Sequence, residues 1–164
     1  MKTMLPLVLV LLLSAGCGST RQNGNGTQSN TTAALVNNNN FLFRAQTATP
    51  LNGRIINLTF EYEVKVSKDT IVAFLPYFGR AFTAPMDPSQ GGIKFTSTKF
   101  SQKLQQRRRG GWELVVKPED VPDIQILNFT ITTNGYTTLQ VTSTNKQPIS
   151  FYGTIEANTL KNNR

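Results

Sequence analysis

Ile56-Asn-Leu-Thr-Phe-Glu-Tyr-Glu-Val-Lys-Val66 alternates without interruption. Ile56, Leu58, Phe60, Tyr62, Val64 and Val66 share one parity; Asn57, Thr59, Glu61, Glu63 and Lys65 share the other. A period of two is the signature of a long strand with one face buried and one face wet. It excludes a helix, whose apolar residues would recur every three or four positions. Downstream runs read the same way. Thr70 to Leu75 is a short buried strand; Ile93 and Phe95 alternate with Lys94 and Thr96; another strand ends near Leu104. Trp112, Leu114 and Val116 follow, then Leu127, Phe129 and Ile131, then Leu139, Val141 and Ser143, then Ile149, Phe151, Gly153 and Ile155.

Turn chemistry separates these runs at residues 50–53, 67–69, 85–92, 110–111, 118–122, 134–135 and 145–148. About eight strands at hairpin-like spacing predict an all-β, single-domain antiparallel sandwich or barrel over residues 41–158, with a C-terminal tail at 159–164. One register can be derived. A two-residue loop at Asn134-Gly135 would set Leu139 against Thr130, on the wrong face. A loop of Thr133, Asn134 and Gly135 sets Leu139 against Phe129 and Val141 against Leu127. It requires a type I turn with Gly135 in the left-handed region.

Residues 1–16 read as a targeting segment. Lys2 precedes an apolar run from Leu5 to Leu13, too short for a membrane span, and Ser14, Ala15 and Gly16 lead to Cys17. Cys17 is the sole cysteine, so the chain holds no internal disulfide. Leu13-Ser14-Ala15-Gly16-Cys17 resembles a bacterial lipobox, although Ser14 stands where a large aliphatic is usual. The resemblance implies cleavage between Gly16 and Cys17 and acylation of the Cys17 thiol, each buried CH₂ adding about 0.8 kcal/mol of anchoring. The alternative is an ordinary secretory signal with a cysteine nearby. Residues 17–40, rich in Asn, Gly, Thr and Ser, read as a flexible tether with a mean reach of roughly 25–30 Å.

Composition narrows the chemistry. The chain has 17 basic and 9 acidic residues; without Lys2 the balance is 16 − 9, or +7. That suits anionic lipid or an acidic glycan. An exported chain with scattered lysines does not suit nucleic acid. Arg107-Arg108-Arg109 is the one basic cluster, a hairpin tip that is either solvated or an electrostatic contact. Histidine is absent, which removes the commonest general base and metal ligand. Glu61 and Glu63 share the wet face of one strand. Glu119, Asp120 and Asp123 lack the spacing of a calcium loop, and no carboxylate pair frames a pocket as a glycoside hydrolase needs. No cofactor motif is present. The composition favours a non-catalytic envelope structural or interaction module over a hydrolase.

The stretch LPYFGRA, residues 75–81, breaks a buried strand at Pro76. Pro76, Tyr77, Phe78, Gly79 and Arg80 form either a fold corner, with Phe78 and Phe82 in the core, Tyr77 as a half-buried cap and Arg80 reaching a carboxylate or carbonyls, or part of a groove for an apolar or saccharide ligand. This stretch, together with Gly91-Gly-Ile-Lys-Phe95, Trp112 after basic residues, Asn134-Gly135 with Leu139, and Ile149-Ser-Phe-Tyr-Gly153, resembles the lipoproteins catalogued as domain-of-unknown-function family 4251, found mainly in Bacteroidota. The resemblance spans about residues 41–157. It implies an exported, lipid-anchored β-domain and carries over no activity. In that phylum acidic residues just after the lipidated cysteine direct lipoproteins to the cell surface. Residues 18–29 contain none, which implies an outer-membrane position facing the periplasm. Asp69-Thr70-Ile71 resembles the O-glycosylation motif used there, making Thr70 a candidate acceptor. An envelope protein or glycan is the expected partner beside the membrane itself.

Overall fold

The structure, a computed structural model, describes residues 24–82 and 91–158. Gly16, Cys17, the targeting segment and the tail at 159–164 lie outside them. The described residues form a helix, α1 (Gly24–Asn37), and nine strands. These are β1 (Phe41–Pro50), β2 (Ile56–Val66), β3 (Ile71–Leu75), β4 (Ile93–Ser97), β5 (Phe100–Gln106), β6 (Trp112–Pro118), β7 (Ile124–Ile131), β8 (Tyr136–Ser143) and β9 (Ile149–Ala157).

All nine lie in one antiparallel sheet of order β4-β3-β2-β1-β9-β8-β7-β6-β5. Apart from β4 and β5, each strand neighbours its successor in sequence, and β9 returns to pair with β1. The edge strands β4 and β5 are separated only by Thr98 and Lys99. They form one bent run whose first half pairs with β3 and whose second half pairs with β6. The sheet therefore rolls into an eight-staved, nearly closed up-and-down barrel, with β4 and β5 sharing a stave. Stagger makes the closure possible. A row of partners from Phe95 runs through Ala73, Val64 and Phe43 to Ile155. Ile155 N–H then meets the Gly135 carbonyl in the β7–β8 turn, level with the tip of the β5–β6 hairpin rather than with the middle of β5.

The interior is filled by side chains. Phe41 and Phe43 from β1 meet Phe129 of β7 edge-to-face at ring separations of 5.8 and 6.0 Å. Leu75, Leu114, Leu127, Leu139, Ile149 and Phe151 are buried around them. The expected register between β7 and β8 is present, with Leu139 opposite Phe129 and Val141 opposite Leu127. Gly135 has φ +85°, as the three-residue loop demands.

Two expectations are corrected. The sequence predicts a flexible tether through residue 40, but α1 occupies Gly24–Asn37 and docks on the barrel. Val36 is fully buried, and buried Thr32 lies beside Gly135. Docking of this one apolar stripe outweighs the poor helix propensity of a Gly/Asn/Thr segment. Second, the alternation in β2 breaks at Phe60 instead of running the whole length of the strand. Partners on β1 jump from Ala45↔Tyr62 to Thr47↔Asn57, so residues 58–61 bulge out of the ladder, and β3 covers only Glu63 to Val66. Phe60, of core parity, is consequently 63% exposed.

Candidate functional site

The two barrel ends differ. One carries α1, the β2–β3 turn, the Arg107–Arg109 tip and the β7–β8 turn. The other collects the β1–β2 loop, the segment leaving β3, and the loops after β6 and β8. This second, open end carries no helix among the described residues, and the LPYFGRA stretch crosses it.

Pro76 is buried and ends β3. Beyond it the chain is stapled to the β8–β9 loop rather than to a barrel strand. Gln147 N–H donates to the Arg80 carbonyl at 3.1 Å, and Phe82 N–H donates to the Asn145 carbonyl at 2.8 Å. The Tyr77 hydroxyl lies 2.8 Å from the Arg80 carbonyl and 3.1 Å from that of Gln147, serving either with its single proton. Burial pushes the Tyr77 phenol up, so it remains a donor. Any Cβ on Gly79 would overlap this hydroxyl, so Gly79 makes room for the ring. The Lys146 ammonium donates to the Gly92 carbonyl at 2.8 Å and stands 5.6 Å from the centre of the Tyr77 ring.

Tyr77 is thus the half-buried cap that the corner reading required, while the aromatics around it do something else. Phe78 is 43% exposed and Phe82 is 66% exposed, not core as that reading expected. The segment lies over the rim, and no other described element packs above it. The Arg80 side chain is also exposed; its backbone carbonyl makes the contacts. Phe78, Gly79 and Arg80 line a cavity of about 420 Å³ with Pro50, Leu51 and Gln147. Leu51 and Ile55 expose about two thirds of their surface on the adjoining loop. The sequence holds a signal for this: Ile55 and Ile56 are consecutive, so both cannot face the core of one strand. Pro76 and Tyr77 line a neighbouring cavity of about 300 Å³.

Several of the described acidic residues serve the scaffold. Asp120 latches the junction of β4 and β5, accepting from the Ser97 hydroxyl and from the backbone N–H groups of Thr98 and Lys99, the last two at 2.8 and 3.1 Å. The Ser97 hydrogen bond above all, then the Thr98 amide, holds its carboxyl at about 2. Asp123 accepts from the Asn145 side chain at 2.8 Å. Glu61 pairs with Arg44, which also holds Glu156, and Glu63 pairs with Lys65. Among the described residues no group of three or more acidic, cysteine or histidine side chains is placed to hold a cation. Thr70 sits in the β2–β3 turn at the opposite end, half-buried, its hydroxyl 3.2 Å from Asp69.

Comparison with known proteins places the chain. A family model described as domain of unknown function (DUF4251) matches residues 24–155. Among solved structures, the crystal structure of a DUF4251 family protein from Bacteroides eggerthii DSM 20697 is similar at 16% sequence identity with a TM-score of 0.59. The match covers 80% of this chain and 88% of that one, a likeness of fold. No curated protein matches.

Proposed function

This chain belongs to the DUF4251 family, and from that footing we propose that it is a lipid-tethered, non-catalytic module of the bacterial envelope whose open barrel end is its contact surface. The observation that carries the proposal is the exposure of Phe78 and Leu51 around one cavity, with Phe82 and Ile55 also exposed on the segments at that end, opposite α1. Monomeric proteins seldom gather large apolar side chains at one rim unless something covers them.

The lipobox-like sequence around Cys17 supports the tether. Residues 18–23 alone separate Cys17 from the start of α1, a span of at most about 20 Å when extended. A helix docked at one barrel end keeps that end toward the membrane. The Arg107–Arg109 tip belongs to the same end, within reach of anionic headgroups, and the open end then faces away. The lack of acidic residues in 18–29 favours the periplasmic face of the outer membrane. The structural engagement of Asp120, Asp123, Glu61 and Glu63 supports a role without catalysis. A second reading, binding of an apolar or saccharide ligand through Tyr77, Phe78 and Arg80, draws on the cavity of about 420 Å³ at that rim. Thr70 remains a candidate O-glycan acceptor.

Cys17→Ser is expected to move the protein from the membrane fraction to the soluble fraction and to abolish labelled-palmitate incorporation. Label entering the variant at the wild-type level would refute the tether.

A further inference from the structure

We propose that Arg107, Arg108 and Arg109, at the tip of the β5–β6 hairpin, bind the headgroups of an anionic phospholipid surface and so set how the barrel stands on it. This rests on the tether reading for the nearness of that surface. Charge is spread unevenly along the chain. From Lys99 to Lys117 the cations are Lys99, Lys103, the three arginines and Lys117, against Glu113 alone. That is 6 − 1, or +5, of the +7 carried beyond residue 16. Arg44, Lys65 and Lys146 all meet partners within the fold. Glu113 accepts from the Asn128 side chain at 3.2 Å. The three arginines are exposed, and among the described residues none of their side chains has a carboxylate or carbonyl partner.

The backbone holds them in place. Arg107 N–H donates to the Gly111 carbonyl and Gly110 N–H to the Arg107 carbonyl, both at 3.0 Å, which closes the turn. Gly111 lies so near the Ile131 carbonyl that a Cβ would overlap it, so β7 braces the base of the hairpin. The tip also abuts the β7–β8 turn: a Cβ on Gly110 would lie 3.5 Å from the Thr133 methyl. Gly135 of that same turn is what Thr32 of α1 approaches. One turn therefore separates the arginines from the tethered helix. The β2–β3 turn at this end exposes Lys68 and Asp69 together and adds no net charge. Guanidinium forks match phosphate oxygens bidentately, and a braced turn leaves only side-chain freedom to lose. A membrane held within about 20 Å by residues 18–23 presents phosphates at high local concentration, which a glycan chain free in solution does not. Each arginine near an anionic surface contributes roughly fivefold, so the three together give about a hundredfold.

The test uses the mature chain with Cys17→Ser, so that no acyl group contributes. It is cosedimented at low salt with vesicles of phosphatidylcholine alone and of phosphatidylcholine with phosphatidylglycerol in equal parts. The anionic vesicles are expected to take up the chain about a hundredfold better, a preference that fades as salt screens it. Replacing the three arginines together (R107Q, R108Q and R109Q) cuts the preference to about fivefold or less without moving the melting temperature. Lys103→Gln with Lys117→Gln, on the wall of the hairpin, keeps most of it. Equal uptake by the two vesicles, a preference that survives in the arginine variant, or an equal loss in the lysine variant would overturn the proposal. So would retention of heparin oligosaccharides with no vesicle preference, which would assign the tip to a glycan. Labelled palmitate decides the tether separately, so failure of either reading leaves the result for the other standing.

Discussion

Gly153→Val is expected to lower stability by about 3 kcal/mol or more, a fall in melting temperature of roughly 10 °C. Gly153 lies on β9 opposite Ala45 of β1, where the register between the two strands shifts. A Cβ there would overlap the Arg44 carbonyl oxygen and come within 2.9 Å of the Arg44 carbonyl carbon and 3.1 Å of the Ala45 Cα. These neighbours are all backbone, so no rotamer change relieves the overlap. The β1–β9 pairing also joins the first strand to the last, and loosening it reopens the barrel. Gly153→Ala carries the same first clash and should already lose most of the stability. A thermal melt of both variants, watched by circular dichroism, checks this; an alanine variant that melts with the wild type would show that β1 and β9 are not so closely apposed.

Phe129→Ala is expected to cost about 3–5 kcal/mol. Phe129 is fully buried and is the ring on which Phe41 and Phe43 converge from β1. Its removal deletes two edge-to-face contacts and leaves a void between β1 and β7, which are not neighbours in the sheet. The contrast with Phe78→Ala is the informative part. Phe78 is a phenylalanine of the same size at the rim, and its loss should change stability by no more than about 0.5 kcal/mol. Urea titration of the two variants separates them. Similar midpoints would mean that Phe78 belongs to the core after all.

Much of the barrel could be read from residue alternation and turn chemistry. The β7–β8 hairpin follows from Asn134-Gly135 and from the need to keep Leu139 and Phe129 on one face, and the structure has that register. β1 escaped, because Phe41, Leu42 and Phe43 are buried in succession and give no period of two. The bulge at residues 58–61 escaped for the opposite reason. Its residues alternate perfectly, but β3 is too short to cover them, and strand length on a neighbour cannot be seen from one strand's own pattern. α1 was hidden because its stability comes from Val36 and Thr32 meeting the barrel rather than from local propensity. The candidate site was half legible. Pro76 marked the corner and Tyr77 its cap, whereas the partners that staple it, Asn145 to Gln147, lie far along the chain.

On the proposed reading the open end touches a protein or glycan partner, whereas the helix-bearing end meets only the membrane. A photoreactive phenylalanine analogue placed at Phe78, and separately at Arg108, in the lipidated protein within intact cells tests it most directly. A discrete crosslinked protein or glycan adduct is expected from position 78 and none from position 108. Adducts from position 108 with none from position 78 would contradict it.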